Sequence, residues 1–151
     1  MYYTGCDAHK KRCTLQHIDE EGALGLMMTI PNNTQGFDSF LDKLDAPTVV
    51  TLEASRGYWW QYQYLNKHPK VTGVVVVDAY RSRKIAEELS VKKGYGRASK
   101  DRIDSEMLAE LTRTGLAIGI HVPTPQELEL RTTCRHRFEL KHNRTVSANL
   151  I

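Results

Sequence analysis

The residues of this sequence whose type and spacing point to chemistry are carboxylates, and two of them, Asp101 and Asp104, stand three residues apart. On a helix, Asp104, Leu108 and Leu111 share one face because they follow at i, i+4 and i+7. Asp101 lies one turn before Asp104, so both carboxylates extend the face that is turned to the core. Capping is the alternative interpretation, with Asp101 as N-cap and Asp104 at N3, since the positive end of a helix dipole favours acids.

Two further carboxylates, Asp7 and Glu53, stand at the predicted ends of strands among small or apolar neighbours. A carboxylate left unpaired in such surroundings is costly to desolvate, and functional groups of an α/β sheet collect where strand ends meet helix starts. Taken singly, Asp7 can also be a turn residue and Glu53 a solvated strand end, because acids are common at the ends of elements. The combination of the four acids is what indicates a site.

Four converging carboxylates repel one another unless a cation holds them. Their hard oxygen atoms suit Mg²⁺ or Mn²⁺, which keep several waters and bind substrate phosphates directly. A pair of such ions about 4 Å apart can activate a nucleophile and stabilise the leaving oxygen in phosphoryl transfer. The sequence therefore predicts Mg²⁺ or Mn²⁺ as cofactor, with metal-binding and catalytic roles for Asp7, Glu53, Asp101 and Asp104.

The elements that must position these acids predict an α/β fold. Three strands in a meander are followed by alternating helices and strands, which describes a sheet with antiparallel and parallel parts. The predicted strands cover residues 2–6, 13–19, 23–30, 48–54 and 71–78. Five helices are predicted. The first is capped by Thr34 and ends at Ala46-Pro47, the second is aromatic and covers 58–68, and the third lies near 80–89. The fourth carries Asp101 and Asp104, and the fifth is long and polar, from PTPQELEL to the C-terminus. Residues 91–100 are predicted to form a loop.

Length and composition favour one compact domain. The chain has 151 residues, of which 40% are hydrophobic and 26% charged, as is typical of globular rather than disordered proteins. Its three cysteines form no CxxC pair, which argues against a disulfide framework and a zinc site. The sequence opens with no charged-then-apolar leader, and its longest aliphatic run, Val74–Val77, is far too short to span a bilayer. We therefore expect a cytoplasmic protein with no membrane partner.

Basic residues are concentrated in the second half of the chain. Residues 76–151 carry 14 Lys and Arg against 10 Asp and Glu, whereas residues 1–75 carry 7 against 8. A phosphate-binding surface is favoured over a merely solvated one, because an anionic metal site needs cationic help to admit a polyanion. The predicted nucleic-acid-binding residues are Arg81, Arg83, Lys84, Lys92, Lys93, Arg97 and Lys100. The predicted last helix carries a second basic set that could also bind nucleic acid: Arg131, Arg135, Arg137, Lys141 and Arg144. Alternatively, that helix packs on a partner through Leu128, Cys134 and Phe138.

Two other features have a structural and a functional interpretation. The aromatic residues of the segment 58–64 fit core packing better than base stacking, given the large area that aromatic side chains bury. His9 follows Asp7 closely and is either a solvated turn residue or a contact of a metal-bound phosphate.

Four segments of the chain resemble the DEDD transposases of insertion sequences, family one-ten, which are related to a pilin-gene invertase. They are GCDAHKK (5–11), TLEASRGYWW (51–60), SKDRIDSEMLAELTRTG (99–115) and VPTPQELELRTTCRHRFELKHNRT (122–145), in the family's order. The resemblance implies a RuvC-like domain of the ribonuclease H fold, with a mixed five-stranded sheet, flanking helices and a long C-terminal helix. The acidic tetrad of the family matches Asp7, Glu53, Asp101 and Asp104. Mg²⁺, DNA and, in one branch, a bridge RNA are its implied partners.

The resemblance also predicts the domain organisation. Residues 1–120 would form the RuvC-like DEDD domain, and residues 121–151 the start of a long helix leading to a C-terminal transposase domain that this chain lacks. In the family that domain bears a serine nucleophile, which no serine of this chain replaces by a motif match. We therefore expect a transposase or recombinase of the prokaryotic, nucleoid-associated cytoplasm, homo-oligomeric at full length, with the isolated chain incomplete for catalysis.

Three alternatives to a transposase remain open at the level of sequence. In a Holliday-junction-type nuclease the tetrad alone would hydrolyse phosphodiesters, and in a nucleic-acid-binding scaffold the acids would bind metal without turnover. An actin-like ATPase is the third, suggested by the Asp-bearing first strand and the meander. The lack of paired phosphate-binding glycine loops counts against it.

Overall fold

A computed structural model describes the backbone of residues 1–55, 57–93 and 100–148. The side chains of residues 86, 89–93 and 100–103 lie outside the described part of the chain. The chain divides into two compact units, Met1–Ile120 and His121–Ile151. Within the ranges described, no helix is both long enough and apolar enough to cross a membrane.

A mixed sheet of five strands forms the centre of the first unit. Its strands are β1 (Tyr2–Ala8), β2 (Arg12–Ile18), β3 (Leu24–Pro31), β4 (Thr48–Glu53) and β5 (Val71–Val77). They lie in the order β3-β2-β1-β4-β5. The first three strands pair antiparallel through short turns, whereas β4 and β5 run parallel to β1 and are reached through helices, as parallel pairing requires.

Five helices lie in the described part of the chain. They are α1 (Thr34–Leu41), α2 (Tyr58–Leu65), α3 (Ala79–Lys93), α4 (Lys100–Arg113) and α5 (Pro125–Ala148). The predicted fold class is confirmed: the chain is an α/β protein with a mixed five-stranded sheet, flanking helices and a long C-terminal helix. This architecture is consistent with a ribonuclease H-like fold.

Some predicted helix boundaries are wrong. The N-cap of α1 is Asn33 rather than Thr34, because the Asn33 side chain accepts a hydrogen bond from Gly36 N at 2.8 Å. The same helix ends at Leu41, well before Pro47. Helix α3 continues to Lys93, through the first residues of the predicted loop, since Val and Lys are tolerated in helices. The last residue of that loop, Lys100, begins α4, so the prediction is wrong there too, and residues 94–99 lie outside the described residues.

The two faces of the sheet are covered by different helices. On one face, Cys6, Leu15 and Leu52 pack in a buried cluster with Phe37 and Phe40 of α1. Helix α4 covers the other face, where it packs on β1, β2 and β4. Because side chains alternate between the faces of a strand, the residues on either side of Cys6 point towards α4.

Helix α4 and strand β1 are in backbone contact at Gly5. A Cβ atom placed on Gly5 would lie 1.9 Å from the carbonyl oxygen of Ser105 and 2.7 Å from the amide nitrogen of Ala109. Only a residue without a side chain allows this approach. The contact fixes the distance between α4 and the sheet next to the end of β1.

The second unit consists mainly of α5, which begins with a capping box. Thr124 N donates to the Glu127 carboxylate at 2.7 Å, and Glu127 N donates to Thr124 Oγ1 at 3.3 Å. No described residue of this helix is buried, and Phe138 is 73% exposed. Its basic and apolar side chains are both accessible, so nucleic-acid binding and partner packing both stay predictions.

Candidate active site

Strands β1 and β4 bring two of the predicted acids side by side. In this parallel pair Cys6 aligns with Leu52, and the next step of the same register places Asp7 beside Glu53. Both residues stand at the carboxyl ends of their strands. Glu53 shares its face of β4 with Thr51, whose hydroxyl forms a hydrogen bond with Thr112 of α4. The two carboxylates therefore belong to the face that α4 covers.

The N-terminal part of α4 brings Asp104 to the same edge of the sheet. Ser105, the next residue, is buried against Gly5, two residues before Asp7. At the other end of the helix, Arg113 donates to the carbonyl oxygen of Glu20 at 3.2 Å, in the turn after β2. Since β1 and β2 are antiparallel, that turn lies at the opposite edge, so α4 runs from the carboxyl end of β1 towards its start.

The charges of three predicted acids meet at Glu53. Burial raises the pKa of the Glu53 carboxyl, and the negative charges of Asp7 and Asp104 raise it further. Asp7 is only 9% exposed, while Glu53 and Asp104 are half-buried. A cation bound nearby would offset these negative charges and lower the pKa of the Glu53 carboxyl.

Asp101 is the second residue of α4, so its backbone lies one turn before Asp104, as the converging arrangement requires. The N-cap position of the capping interpretation precedes the helix, and Asp101 does not occupy it. The side chain of Asp101 lies outside the described part of the chain. Among the described side chains, no group of three or more His, Cys, Asp or Glu residues is placed to hold a metal ion. The metal-binding role of the tetrad therefore stays a prediction.

His9 contacts the first of these acids. Its Nε2 atom lies 3.1 Å from Asp7 Oδ2, and its side chain is 58% exposed. From the sequence, His9 was interpreted either as a solvated turn residue or as a contact of a metal-bound phosphate. Its pairing with Asp7 was not predicted. No local pattern signalled this pairing, because His9 lies in the turn after β1 and the conformation of that turn places its side chain.

Asp78, directly after β5, is a site neighbour that sequence reasoning missed. Its charge raises the pKa of Glu53, and its Oδ1 accepts a hydrogen bond from Arg81 N at 2.9 Å, at the start of α3. The signal was the same as for the predicted acids, since Asp78 is a carboxylate that follows a buried strand.

The described basic residues of α3 stand beside the acids. Arg81, Arg83 and Lys84 are exposed, and the positive charge of Arg83 lowers the pKa of Glu53. Lys84 Nζ lies 4.8 Å from the centre of the Tyr80 ring. The other predicted nucleic-acid-binding side chains lie outside the described part of the chain: Lys92, Lys93, Arg97 and Lys100.

The aromatic residues of α2 are partly integrated in the core. Trp60 and Tyr64 pack against Phe37 of α1, with ring centres 5.9 Å and 6.5 Å apart. Trp60 is nevertheless 37% exposed and, with Trp59, lines an open groove. These contacts fit the core-packing interpretation for Trp60 and Tyr64.

Glu53→Gln is expected to raise the melting temperature at pH 7 without divalent cations. A carboxyl whose folded-state pKa is raised contributes stability below its unfolded pKa, about 4.3, and that contribution is lost as pH rises through the folded pKa. Because the folded-state pKa of Glu53 is raised, the native protein should be less stable relative to the variant at pH 7 than at pH 4. Calorimetry at both pH values measures the difference.

The matched control for that prediction is Glu87→Gln, at an exposed position of α3. It should leave the pH dependence of the native protein unchanged. Identical pH dependence in Glu53→Gln and the native protein would contradict the electrostatic coupling of Glu53 to Asp7 and Asp104.

Comparison with known proteins identifies the family. A family model of IS110-type DEDD transposases, described as a transposase, matches residues 4–151. The match spans nearly the whole chain and includes the four predicted acids. A search of the curated proteins matched none. The chain belongs to the IS110-type DEDD transposase family.

Proposed function

We propose that this chain is the metal-binding catalytic domain of a transposase that acts in DNA transposition together with a bridge RNA. Membership of a transposase family supports a DNA-acting enzyme in general. The observation that carries the finer proposal is the electrostatic coupling of Glu53 to Asp7 and Asp104, at the carboxyl ends of two adjacent strands beneath α4.

The donor set of this site fits a hard divalent cation. Carboxylate oxygens are the ligands that Mg²⁺ and Mn²⁺ prefer, and the raised pKa of Glu53 reflects burial and a negative field that a cation would relieve. The residues proposed to hold the ion are Asp7, Glu53, Asp101 and Asp104. When bound, the ion supplies Lewis-acid stabilisation of phosphoryl transfer.

The protein's own cations complement this site. Arg83 is exposed and close enough to Glu53 to lower its pKa, and Arg81 and Lys84 are exposed on the same helix. Positive charges beside an acidic centre draw in a phosphate backbone that the acids alone would repel. We propose that α3 guides nucleic acid to the carboxylates.

The proposed organisation assigns residues 1–120 to a RuvC-like DEDD domain and residues 121–151 to a helix leading to a further domain with a serine nucleophile. The complete protein would act as a homo-oligomer at the nucleoid of a prokaryotic cell. Covalent catalysis needs a nucleophile within reach of its activating groups, so the carboxylates and that serine would form one composite site.

Mg²⁺ is expected to raise the melting temperature of this chain, because a ligand that binds only the folded state stabilises it. At 100 times its dissociation constant, the stabilisation is about 2.7 kcal/mol, or roughly 5–10 °C for a chain of this size. Asp104→Ala should remove the shift. Differential scanning fluorimetry with Mg²⁺ and with EDTA measures it.

Asp42→Ala is the control for this experiment, since Asp42 is exposed at the C-terminal end of α1. It should keep the full response to Mg²⁺. A full response in Asp104→Ala would refute the proposed metal site. Cleavage of labelled four-way junctions by this chain alone, lost in Asp7→Asn, would instead favour the junction-nuclease alternative.

Nucleic-acid binding is expected to weaken steeply with salt, because lysines and arginines that neutralise phosphates release counterions. Each of the changes Arg81→Ala, Arg83→Ala and Lys84→Ala should lower the slope of log K against log salt by roughly 0.7–0.9 for each phosphate that the variant no longer neutralises. Fluorescence anisotropy over a salt series measures the slopes. The control is Lys67→Ala, at an exposed position after α2, which should leave the slope unchanged. If all three α3 variants also keep the native slope, α3 is not the binding surface.

A further inference from the structure

The turn between β1 and β2 is held in place by Asn32. Asn32 Nδ2 donates to the carbonyl oxygen of His9 at 2.8 Å, and Asn32 N donates to the carbonyl oxygen of Lys11 at 3.0 Å. The turn closes on itself through His9 N, which donates to Arg12 O at 2.9 Å. Asn32 thus binds the turn at two carbonyl groups and restricts the position of His9.

The orientation of the Asn32 amide is in turn set by Gln61 of α2. Gln61 Nε2 donates to Asn32 Oδ1 at 2.8 Å and lies 3.7 Å from Cys13 Sγ. Because Asn32 Oδ1 accepts from Gln61, its Nδ2 is directed to His9. Gln61 therefore decides which end of the Asn32 side chain contacts the turn.

Gln61 fills this role at a cost to stability. Its side chain is 2% exposed, and its Oε1 atom is buried with no hydrogen-bond partner among the described residues. An apolar side chain of similar size would avoid the desolvation of that carbonyl group. The other end of the same amide, Nε2, holds the Asn32 side chain, so this buried residue is retained at the contact that orients Asn32.

The chain of contacts ends at the site. His9 Nε2 lies 3.1 Å from the buried Oδ2 of Asp7. We propose that Asn32 and His9 are positioning residues: Asn32 sets the place of His9, and His9 fixes the rotation of the Asp7 carboxylate. This inference rests on the proposed function, in which Asp7 is a metal ligand.

A fixed carboxylate binds a cation more tightly than a rotating one, because less side-chain freedom is lost on binding. Outer partners of metal ligands act in this way, and their removal typically weakens metal binding about 10–100-fold. Asn32 acts on Asp7 only through His9. Its removal should therefore weaken Mg²⁺ binding less than removal of His9 does, and should weaken it no further in a variant that already lacks His9.

The experiment compares three variants of this chain: His9→Ala, Asn32→Ala and the double variant. Asn32→Ala retains the backbone bond to Lys11 and removes only the side-chain bonds. The Mg²⁺ dissociation constant, obtained from the rise in melting temperature over a Mg²⁺ series, should increase about 10-fold in His9→Ala and by a smaller factor in Asn32→Ala. The double variant should equal His9→Ala, because coupled residues are not additive.

Gln61→Met separates positioning from simple stabilisation. It removes the unpartnered carbonyl group together with the donor to Asn32 Oδ1, two changes of opposite sign. The melting temperature without Mg²⁺ should therefore change little, while Mg²⁺ binding weakens to the level of Asn32→Ala. Asn66→Ala, at the exposed C-cap of α2, is the control and should bind Mg²⁺ like the native protein.

The outcomes distinguish this inference from the proposed function. If Asp7→Asn abolishes Mg²⁺ binding while His9→Ala and Asn32→Ala bind normally, the positioning role is refuted and the metal site stands. Additive effects in the double variant would also refute it. If Asp7→Asn binds Mg²⁺ like the native protein, the proposed metal site fails as well.

Discussion

Asp7→Asn is expected to lower the transposition frequency by about 1,000-fold or more, in cells that express the full-length transposase proposed above. The change keeps the shape of a residue that is 9% exposed and removes the charge proposed to hold the divalent cation. Metal-ion catalysis contributes several kcal/mol to the stability of the transition state, and about 4 kcal/mol corresponds to that factor. Counting plasmid integrations measures the loss.

The control for this prediction is Asp42→Asn, which changes an exposed aspartate at the C-terminal end of α1. It should leave the frequency unchanged. The Asp7→Asn protein should be folded, and without divalent cations it should melt no lower than the native protein, because one charge that raises the pKa of Glu53 is gone. A near-native frequency in Asp7→Asn would refute the catalytic role of this residue.

Gly5→Ala is expected to destabilise the protein by about 3 kcal/mol or more, at the upper end of the usual cost of overpacking. The added methyl group would meet the Ser105 carbonyl oxygen at 1.9 Å, and a backbone atom cannot rotate away as a flexible side chain can. The melting temperature should fall by roughly 10 °C, and the response to Mg²⁺ should disappear because α4 carries Asp104.

Gly73→Ala is the matched control, since Gly73 is also a strand glycine of the same sheet. Its added methyl group would meet only Val49 Cγ1, at a distance of 4.0 Å. We expect a change in melting temperature of no more than a few degrees, roughly 1 kcal/mol. Equal melting temperatures for the Gly5→Ala and Gly73→Ala variants would show that α4 does not depend on close contact with β1.

The sheet was predictable because its strands carry local signals. Alternating or continuous runs of β-branched and apolar residues marked all five strands, and the acids Asp7 and Glu53 stood at their ends, where function collects. The position of Asp104 on the inner side of α4 followed from its helical spacing to the buried residues Leu108 and Leu111.

Features that depend on competition between similar residues, or on contacts distant in sequence, were not predictable. Asn33 and Thr34 are both good caps, and only the hydrogen bond to Gly36 N decides between them. The bond between Gln61 and Asn32 joins two elements whose approach no local pattern encodes. The same holds for the pairing of His9 with Asp7, which depends on the conformation of a turn.

The dependence of the site on both ends of the first unit has a consequence for synthesis of the protein. Asp7 leaves the ribosome well before the helix that carries Asp104, which ends at Arg113. Contacts between such distant segments form late, because the intervening chain must close first. A nascent chain shorter than this holds two acids beside each other and lacks the helix that completes the group. The proposed metal site can therefore assemble only after α4 has been translated.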